Sequence, residues 1–264
     1  MKESVNKTFN QFKIHTQYSI CEGAVKIDQL KDFCKKNKIK CLGLSDSYNL
    51  SGALEFSENL SSVGTQPIIG TQINFKYKDY YGLIPLIAKN SMGYKNIIEL
   101  SSKSYLENDS IQDPHCNFED LIDFRDGIII LSGSINSLSG NLFNKGLLDE
   151  VTSIYKTFSK NFSDNFFIEI QRHNDVNEKQ FENYNLEQSK ILNLPIIATN
   201  EVFYIDKSMH EAHDALMCIG QKTYVNDRNR NRLSNNHYLK SSDEMIELFK
   251  DLPEALDNNF NLPY

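Results

Sequence analysis

The chain has 264 residues, with 28 basic and 35 acidic side chains and a hydrophobic fraction of 40%, the balance of an ordinary globular protein. Its net charge of −7 argues against a protein that grips duplex nucleic acid unaided, because phosphate neutralisation needs clustered Lys and Arg. The N-terminus lacks an apolar signal core, and no run approaches the roughly 18 apolar residues that span a bilayer. We therefore expect a cytoplasmic protein without a membrane partner.

Five cysteines are present, an odd number without CxxC or zinc-finger spacing. In a cytosolic protein this pattern favours reduced thiols that serve mainly in packing. They are Cys21, Cys34, Cys41, Cys116 and Cys218.

Apolar periodicity predicts strands and helices that alternate along most of the chain. Strands are predicted at residues 11–19, 41–44, 67–75, 83–88, 127–131, 166–170 and 195–198. Helices are predicted at residues 26–37, 50–60, 93–106, 147–158, 178–192, 209–219 and 243–249. Pro85 fits an edge strand or a bulge, and residues 107–117 are typical of an exposed loop. The alternation predicts parallel strands joined by crossover helices.

About seven βα units without a break in composition favour a single α/β barrel over two domains. In such barrels the functional pocket lies at the carboxyl ends of the strands. Polar side chains follow the predicted strands at His15, Asp46, Gln72, Ser134, His173, Asn200 and Glu201. The sequence therefore predicts a polar pocket at one end of the barrel.

Histidine and carboxylate side chains at a barrel mouth can bind a metal ion that activates water for phosphoester hydrolysis. His15, Asp46, His173 and Glu201 suffice in principle for one zinc ion with an open position. The alternative is that each residue caps or hydrogen-bonds a neighbouring loop. Spacing alone favours that alternative, because polar residues at strand ends are common.

Lys13 bears on this choice because it stands two residues before His15, so the period of a strand sends both side chains to one face. An ammonium repels a cationic metal cluster and attracts a carboxylate such as Asp46 or Glu201. Our hypothesis is that Lys13 occupies part of a former metal position.

Two weaker candidates remain outside the predicted pocket. Three arginines in the sequence DRNRNR are possible phosphate contacts, although a solvated loop is the simpler interpretation. They are Arg228, Arg230 and Arg232. His210 and His213 share a predicted helix, but no third ligand is evident nearby, and His213 is interpreted as a packed residue.

Nine segments of the chain, taken in order, carry a resemblance to a known family. They are KIHTQYSICEG, GLSDSYNLSGALEF, QPIIGTQINF, LIAKNSMGYKNIIELSS, GIIILSGS, FFIEIQRHN, LPIIATNEVFYID, AHDALMCIGQKTYVNDRNR and NHYLKSSDEMIELF. The chain resembles the PHP domain (polymerase and histidinol phosphatase) at the N-terminus of the bacterial DNA polymerase III alpha subunit, a C-family replicative polymerase. The resemblance implies a distorted (βα)7 barrel of the PHP type, with mostly parallel strands and outer helices. It also implies a metal cluster at the strand ends of intact members.

Matched residue by residue, the chain departs from that cluster. The family's acid or histidine ligands are retained at His15, Asp46, His173 and Glu201. Poor ligands stand at six further ligand positions, namely Lys13, Ser47, Gln72, Leu83, Ser134 and Phe203. Because even outer-shell changes cost 10- to 100-fold in metal affinity or activity, these losses predict a degenerate site that holds no metal.

The resemblance implies one PHP domain over residues 1–264, in which residues 220–264 form a helical and loop extension towards an absent polymerase palm. We expect a catalytically silent scaffold whose partners are the rest of the alpha subunit and the epsilon proofreading exonuclease, with DNA bound through the full-length polymerase. Magnesium belongs to the absent palm, where DNA-directed nucleotidyl transfer would occur.

Two alternatives stay open. One is an active phosphoesterase or 3′ to 5′ exonuclease that uses zinc or manganese at the four retained residues. The other is an independent small-molecule phosphatase, against which the polymerase-type segment YLKSSDEMIELF counts.

Overall fold

A computed structural model of the chain describes residues 8–108, 113–227, 229–230 and 232–264. Nine strands in these residues form one sheet system. The strands are β1 Lys13–Ile14, β2 Cys41–Ser47, β3 Gln66–Tyr77, β4 Tyr80–Ala88, β5 Cys116–Asn117, β6 Ile128–Leu131, β7 Phe166–Ile170, β8 Ile196–Ala198 and β9 Glu201–Val202.

The strand order β8-β7-β6-β4-β3-β2-β1-β9, with β5 paired to β3, makes the sheet curl on itself. Its two outermost strands, β8 and β9, are consecutive in the chain and separated only by Thr199 and Asn200. Side chains of β1 and β7, which are not neighbours in the sheet, also meet across the interior. The predicted distorted α/β barrel is confirmed.

One part of the parallel arrangement was predicted wrongly. Strand β4 runs antiparallel to both β3 and β6. A two-residue turn at Lys78 and Asp79 connects β3 to β4, and Lys78 has the positive φ of 55° that such tight hairpins require. Strand β4 is therefore interior, and Pro85 is tolerated because it lies just ahead of the segment that pairs with β6.

The strand predicted at residues 11–19 is much shorter than expected. Only Lys13 and Ile14 form β1, and the chain turns after Thr16, where the amide of Ser19 donates to the Thr16 carbonyl at 2.9 Å. Asp46 stabilises this turn by accepting the Thr16 amide at 2.6 Å. In the loop predicted at 107–117, residues 109–112 lie outside the described part, and the last two form β5.

Ten α-helices cover the sheet within the described residues. They are α1 Ile27–Asn37, α2 Ala53–Ser61, α3 Ser91–Leu106, α4 Phe118–Asp123, α5 Leu138–Asn144, α6 Leu148–Phe162, α7 Glu178–Leu192, α8 His210–Gln221, α9 Ser242–Leu248 and α10 Pro253–Asn261. Helices α4 and α5 were not predicted because six or seven residues carry too little periodicity. None of the helices in this part of the chain is long and apolar enough to cross a membrane.

The barrel interior is apolar towards the amino ends of the parallel strands. The buried side chains of this inner layer are Phe12, Cys41, Ile68, Ile87, Ile129, Leu131 and Ile197. Two larger apolar clusters lie between the sheet and the helices. Because strand side chains alternate between faces, the inward positions further along the same strands carry the polar residues of the pocket.

The side chain of Asn259 binds the C-terminal helix α10 to the start of the barrel. The side chain of Asn259 accepts the Asn10 amide at 2.8 Å and donates to the carbonyls of Asn10 at 2.9 Å and Ala198 at 3.0 Å. Asn259 is fully buried, so none of these backbone groups has water as an alternative partner.

We expect the substitution Asn259→Ala to lower the free energy of unfolding by about 3 kcal/mol, because it leaves buried backbone groups without partners. Urea denaturation followed by circular dichroism measures this change. Asn261→Ala, at an exposed position of the same helix, is the matched control and should change stability by less than about 0.5 kcal/mol. Equal effects of the two substitutions would contradict the assigned role of Asn259.

Candidate functional site

Lys13 lies at the centre of the pocket formed by the strand ends. Its side chain is 1% exposed, and its ammonium lies 3.3 Å from Glu169 Oε1 and 3.2 Å from Glu201 Oε1. The side chain of Glu169 is fully buried, and that of Glu201 is 9% exposed. The amine therefore points away from solvent and contacts Glu201, as we expected, while its second partner is Glu169 and not Asp46.

Glu201 Oε1 contacts three polar side-chain groups at once. Besides Lys13, Gln72 Nε2 donates to this oxygen at 2.6 Å and His15 Nε2 lies 3.1 Å away. Burial alone would raise the pKa of Glu201, but Lys13, His15 and Gln72 together hold it well below its ordinary value. For Lys13, burial lowers the pKa, and the charges of Glu169 and Glu201 outweigh burial and raise it. Both groups are therefore charged near neutral pH.

The imidazole of His15 is buried and contacts two serine hydroxyls and an aromatic ring. Its Nδ1 lies 3.3 Å from Ser19 Oγ and 3.4 Å from Ser47 Oγ. The ring of Phe203 stacks on the imidazole with a centroid distance of 4.3 Å. Phe203, one of the positions where the resemblance led us to expect a lost ligand, thus packs an apolar ring against His15.

Asp46 serves the loop after β1. Its Oδ1 accepts the Thr16 amide at 2.6 Å and Ser19 Oγ at 2.7 Å, and its Oδ2 accepts Thr16 Oγ1 at 2.7 Å. Asp46 thus hydrogen-bonds a neighbouring loop, which is the alternative to metal binding that the sequence left open.

His173 belongs to a second polar group beside the first. Its Nδ1 lies 3.2 Å from Glu178 Oε1, and its Nε2 lies 3.1 Å from Asn200 Oδ1 and accepts the Glu201 amide at 3.2 Å. Its ring stacks on His237 with a centroid distance of 4.0 Å. Burial, followed by the neighbouring His237 and Lys240, holds the pKa of His173 well below its ordinary value.

The remaining predicted pocket positions make few polar contacts with these groups. Leu83 is half-buried opposite Asn74 in the β3–β4 pair. Ser134 is buried, and its hydroxyl accepts the Asn136 amide at 3.3 Å. Neither side chain offers a strong metal ligand.

The arginines of DRNRNR that the structure describes contact carboxylates of α8. Arg230 forms a two-pronged ion pair with Asp214 at 2.5 Å, and Arg232 donates to Glu211 at 2.7 Å. Arg228 lies outside the described residues. The phosphate contact thus stays a prediction, for which these two guanidinium groups would have to exchange partners.

The two histidines of α8 have separate partners. His210 Nε2 faces the Leu233 carbonyl at 3.1 Å, whereas buried His213 faces the Glu22 carbonyl at 2.7 Å. His213 is thus a packed helix residue.

Sequence reasoning missed several residues that the structure brings into the pocket. Glu169 was overlooked although it is the single acid in the apolar run FFIEI, which is a usable signal. No comparable signal marks Asp175, Glu178, His237 and Lys240, since they lie outside the predicted strand ends.

Metal fits poorly at the positions the resemblance indicates. The ammonium of Lys13 already contacts both Glu169 and Glu201, and Glu201 Oε1 is approached by three groups. Asp46 and His173 have other partners. The four retained residues therefore do not form one ligand set, and the arrangement is a closed network of hydrogen bonds and ion pairs.

The family model described as PHP domain matches residues 11–173 of the chain. The chain belongs to the PHP domain family. Among curated proteins it is similar to DNA polymerase III subunit alpha of Rickettsia conorii, with 36% identity over 255 residues, and of Caulobacter vibrioides, with 32% identity over 270 residues. These matches cover 96% and 99% of the chain but only 22% and 24% of the relatives. The chain thus spans less than a quarter of their length.

The chain is also similar to solved structures, among them two with a TM-score of 0.46 each. One is an amidohydrolase from Chromobacterium violaceum with bound sulfate and no metal, at 9% identity over 74% of this chain and 87% of that one. The other is a two-domain protein from Bacteroides vulgatus containing a predicted PHP-like metal-dependent phosphoesterase, at 12% identity over 91% of this chain and 62% of that one.

We expect Lys13→Met to lower the free energy of unfolding at pH 7 by about 3 to 5 kcal/mol, because two buried carboxylates lose their counter-charge. In the unsubstituted chain the pKa of Glu201 is depressed, so its stabilising contribution is present above about pH 4.3 and is lost at lower pH. Without Lys13 burial should raise that pKa, so stability should increase as the pH falls from 7 to 5.

Urea denaturation at pH 7 and pH 5 measures both effects. The control is Lys95→Met at an exposed position of α3, which should change stability by less than about 0.5 kcal/mol at either pH. A loss in Lys13→Met that is equal at the two pH values would show that the ammonium is not the counter-charge of buried carboxylates.

Proposed function

We propose that this chain is a PHP domain of a replicative DNA polymerase alpha subunit in which the PHP site is catalytically silent. The observation that carries the proposal is the buried ammonium of Lys13, held between Glu169 and Glu201 in the pocket. A water molecule activated by metal needs an open coordination position and ligands free to bind the ion. Here the acid best placed to bind an ion is already neutralised by a side chain of the protein.

The closed pocket supports a scaffold role. Of the described side chains with buried polar atoms, only Thr223 has an atom without a hydrogen-bond partner, and it lies outside the pocket. A fully paired polar network makes an interior rigid and well defined, whereas a hydrolytic site needs unpaired groups to receive its substrate. On this proposal the former active site serves to hold strands β1, β3, β7 and β9 together.

The resemblance to polymerase alpha subunits also supports a place within a larger replicative enzyme. The chain covers 22% of the Rickettsia conorii relative, so the nucleotidyl transfer chemistry, its magnesium ions and its DNA contacts would belong to other parts of such a polymerase. In this proposal residues 1–264 act as one PHP domain, and residues 220–264 connect the barrel to the polymerase palm. The net charge of −7 agrees with a domain that does not bind DNA by itself.

We further propose that the domain docks the epsilon proofreading exonuclease. A polymerase whose own PHP domain cannot hydrolyse a mismatched primer end needs a separate exonuclease, and a rigid scaffold next to the polymerase is a suitable attachment site. The family resemblance and the closed pocket support this role.

The purified chain is expected to release no nucleotide from a 3′-labelled primer and no nitrophenol from bis-p-nitrophenyl phosphate, whether Mn²⁺ or Zn²⁺ is added. The physical reason is the absence of an open ligand position at Glu201. A PHP domain with an intact His-x-His pair serves as the positive control. Metal-dependent hydrolysis that disappears in His15→Ala would establish the rival function, an active phosphoesterase or exonuclease.

We expect the chain to form a one-to-one complex with the epsilon exonuclease of the same organism in size-exclusion chromatography at micromolar concentration. The variant His15→Ala, altered only inside the pocket, should bind equally well, because docking uses the outer surface. Failure of the folded chain to bind would contradict the docking role, and binding that depends on His15 would place the contact at the pocket.

A further inference from the structure

Three side chains beside the Lys13 pocket bring potential metal ligands together. One ligand atom from each of His173, Asp175 and His237 lies within 4.8 Å of the other two. Both histidines are buried, and the side chain of Asp175 is 9% exposed. Two imidazoles and one carboxylate are a donor set that zinc and related divalent transition metals accept.

The hydrogen bonds of the two histidines have the pattern of metal ligands. His237 Nδ1 faces the Glu201 carbonyl at 3.1 Å, and His173 Nδ1 faces Glu178 Oε1 at 3.2 Å. Because carbonyl and carboxylate oxygens accept hydrogen bonds, each Nδ1 carries a hydrogen, and whenever the ring is neutral this leaves the lone pair on Nε2. A carbonyl or carboxylate bound to the second ring nitrogen is the usual partner of a metal-ligating histidine.

Each Nε2 atom then points at another oxygen acceptor. His237 Nε2 lies 2.9 Å from Asp175 Oδ2, and His173 Nε2 lies 3.1 Å from Asn200 Oδ1 while accepting the Glu201 amide. In the absence of a metal ion, a hydrogen on His237 Nε2 satisfies the contact with Asp175, and a divalent cation would take the place of that hydrogen. The charges of Asp175 and nearby Glu178 offset the ammonium of Lys240, which contacts Asn200 Oδ1 at 3.0 Å.

Of the three residues, Asp175 is accessible from the surface, and the two buried histidines lie behind it. Two clefts of about 470 and 460 Å³ open on either side of Asp175, one lined by Arg172 and Lys179 and the other by His210 and Asn235. The two imidazole rings are stacked within 5° of parallel, so an ion bound to both requires the rings to turn until their nitrogens converge.

We propose that His173, Asp175 and His237 form a binding site for one zinc-type divalent cation, which ties the segment 234–240 to the loop after β7. This segment already lies on that loop, since Ser234 donates to Asp175 Oδ1 at 3.0 Å and Asn236 donates to the His173 carbonyl at 2.9 Å. Of the four residues predicted as ligands from the sequence, only His173 takes part. The role is structural, and the hydrolytic silence of the Lys13 pocket does not depend on it.

The test uses the 264-residue chain after dialysis against chelator. Isothermal titration with Zn²⁺ should give one site per chain, and zinc should raise the melting temperature by about 5 °C at a hundredfold excess over the dissociation constant. Cobalt should give visible absorption bands of a site with nitrogen and oxygen ligands. Absence of uptake by the folded, unsubstituted chain would overturn the proposal, since a proton then suffices between His237 and Asp175.

Three variants locate the ion. His237→Gln and the isosteric Asp175→Asn should weaken zinc affinity at least tenfold, with folding checked by circular dichroism. His15→Gln, in the Lys13 pocket, is the matched control and should retain full affinity. Zinc binding that is lost in His15→Gln and kept in His237→Gln would overturn the proposal and place the ion at the family's own positions.

Discussion

The arrangement of the pocket depends on the ion pairs of one buried ammonium. Transfer of a lysine charge into a protein interior is strongly unfavourable unless opposite charges and hydrogen bonds replace the lost water. Lys13 has Glu169 and Glu201 on either side, so the site carries two acids for one ammonium. The excess negative charge is moderated by Gln72 and His15, both of which approach Glu201 Oε1. These side chains form one electrostatic unit, in which Lys13 supplies the counter-charge of the two carboxylates.

The barrel makes this unit possible by separating apolar and polar layers. The inward side chains at one end of the strands are apolar, whereas those further along are polar. Closure brings β1 opposite β7, which lets Lys13 and Glu169 meet across the interior. The connection of β8 to β9 through Thr199 and Asn200 places Glu201 beside β1, where Lys13 and Glu201 are direct partners in the register. The same closure presents Asn200 to His173 and Lys240.

Much of the fold followed from apolar periodicity, because long amphipathic helices and buried strands such as Ile128–Leu131 carry a strong local signal. The antiparallel direction of β4 was missed because a two-residue turn and a long crossover are both compatible with a short apolar run. Most of the pocket positions could be named from the sequence and the resemblance, and so could the attraction between Lys13 and Glu201. The hydrogen-bond and ion-pair partners of most pocket residues could not be predicted. Lys13 and Glu169, and likewise His173 and His237, are more than sixty residues apart in the sequence. These pairs meet only because the barrel closes.

The hydrogen bonds of the Asn259 side chain link the C-terminal helix α10 to the electrostatic unit. Asn10 lies three residues before Lys13, and Ala198 lies three residues before Glu201, so the one amide of Asn259 binds the two segments that lead into the ion pair. A displacement of α10 would therefore pull on the ammonium and on its carboxylate through short, stiff segments of backbone. Since the separation of these charges sets their interaction energy, such a displacement would change the energy of the Lys13–Glu201 ion pair. In mechanical terms, Asn259 couples the C-terminal end of the barrel to the buried charges of the pocket.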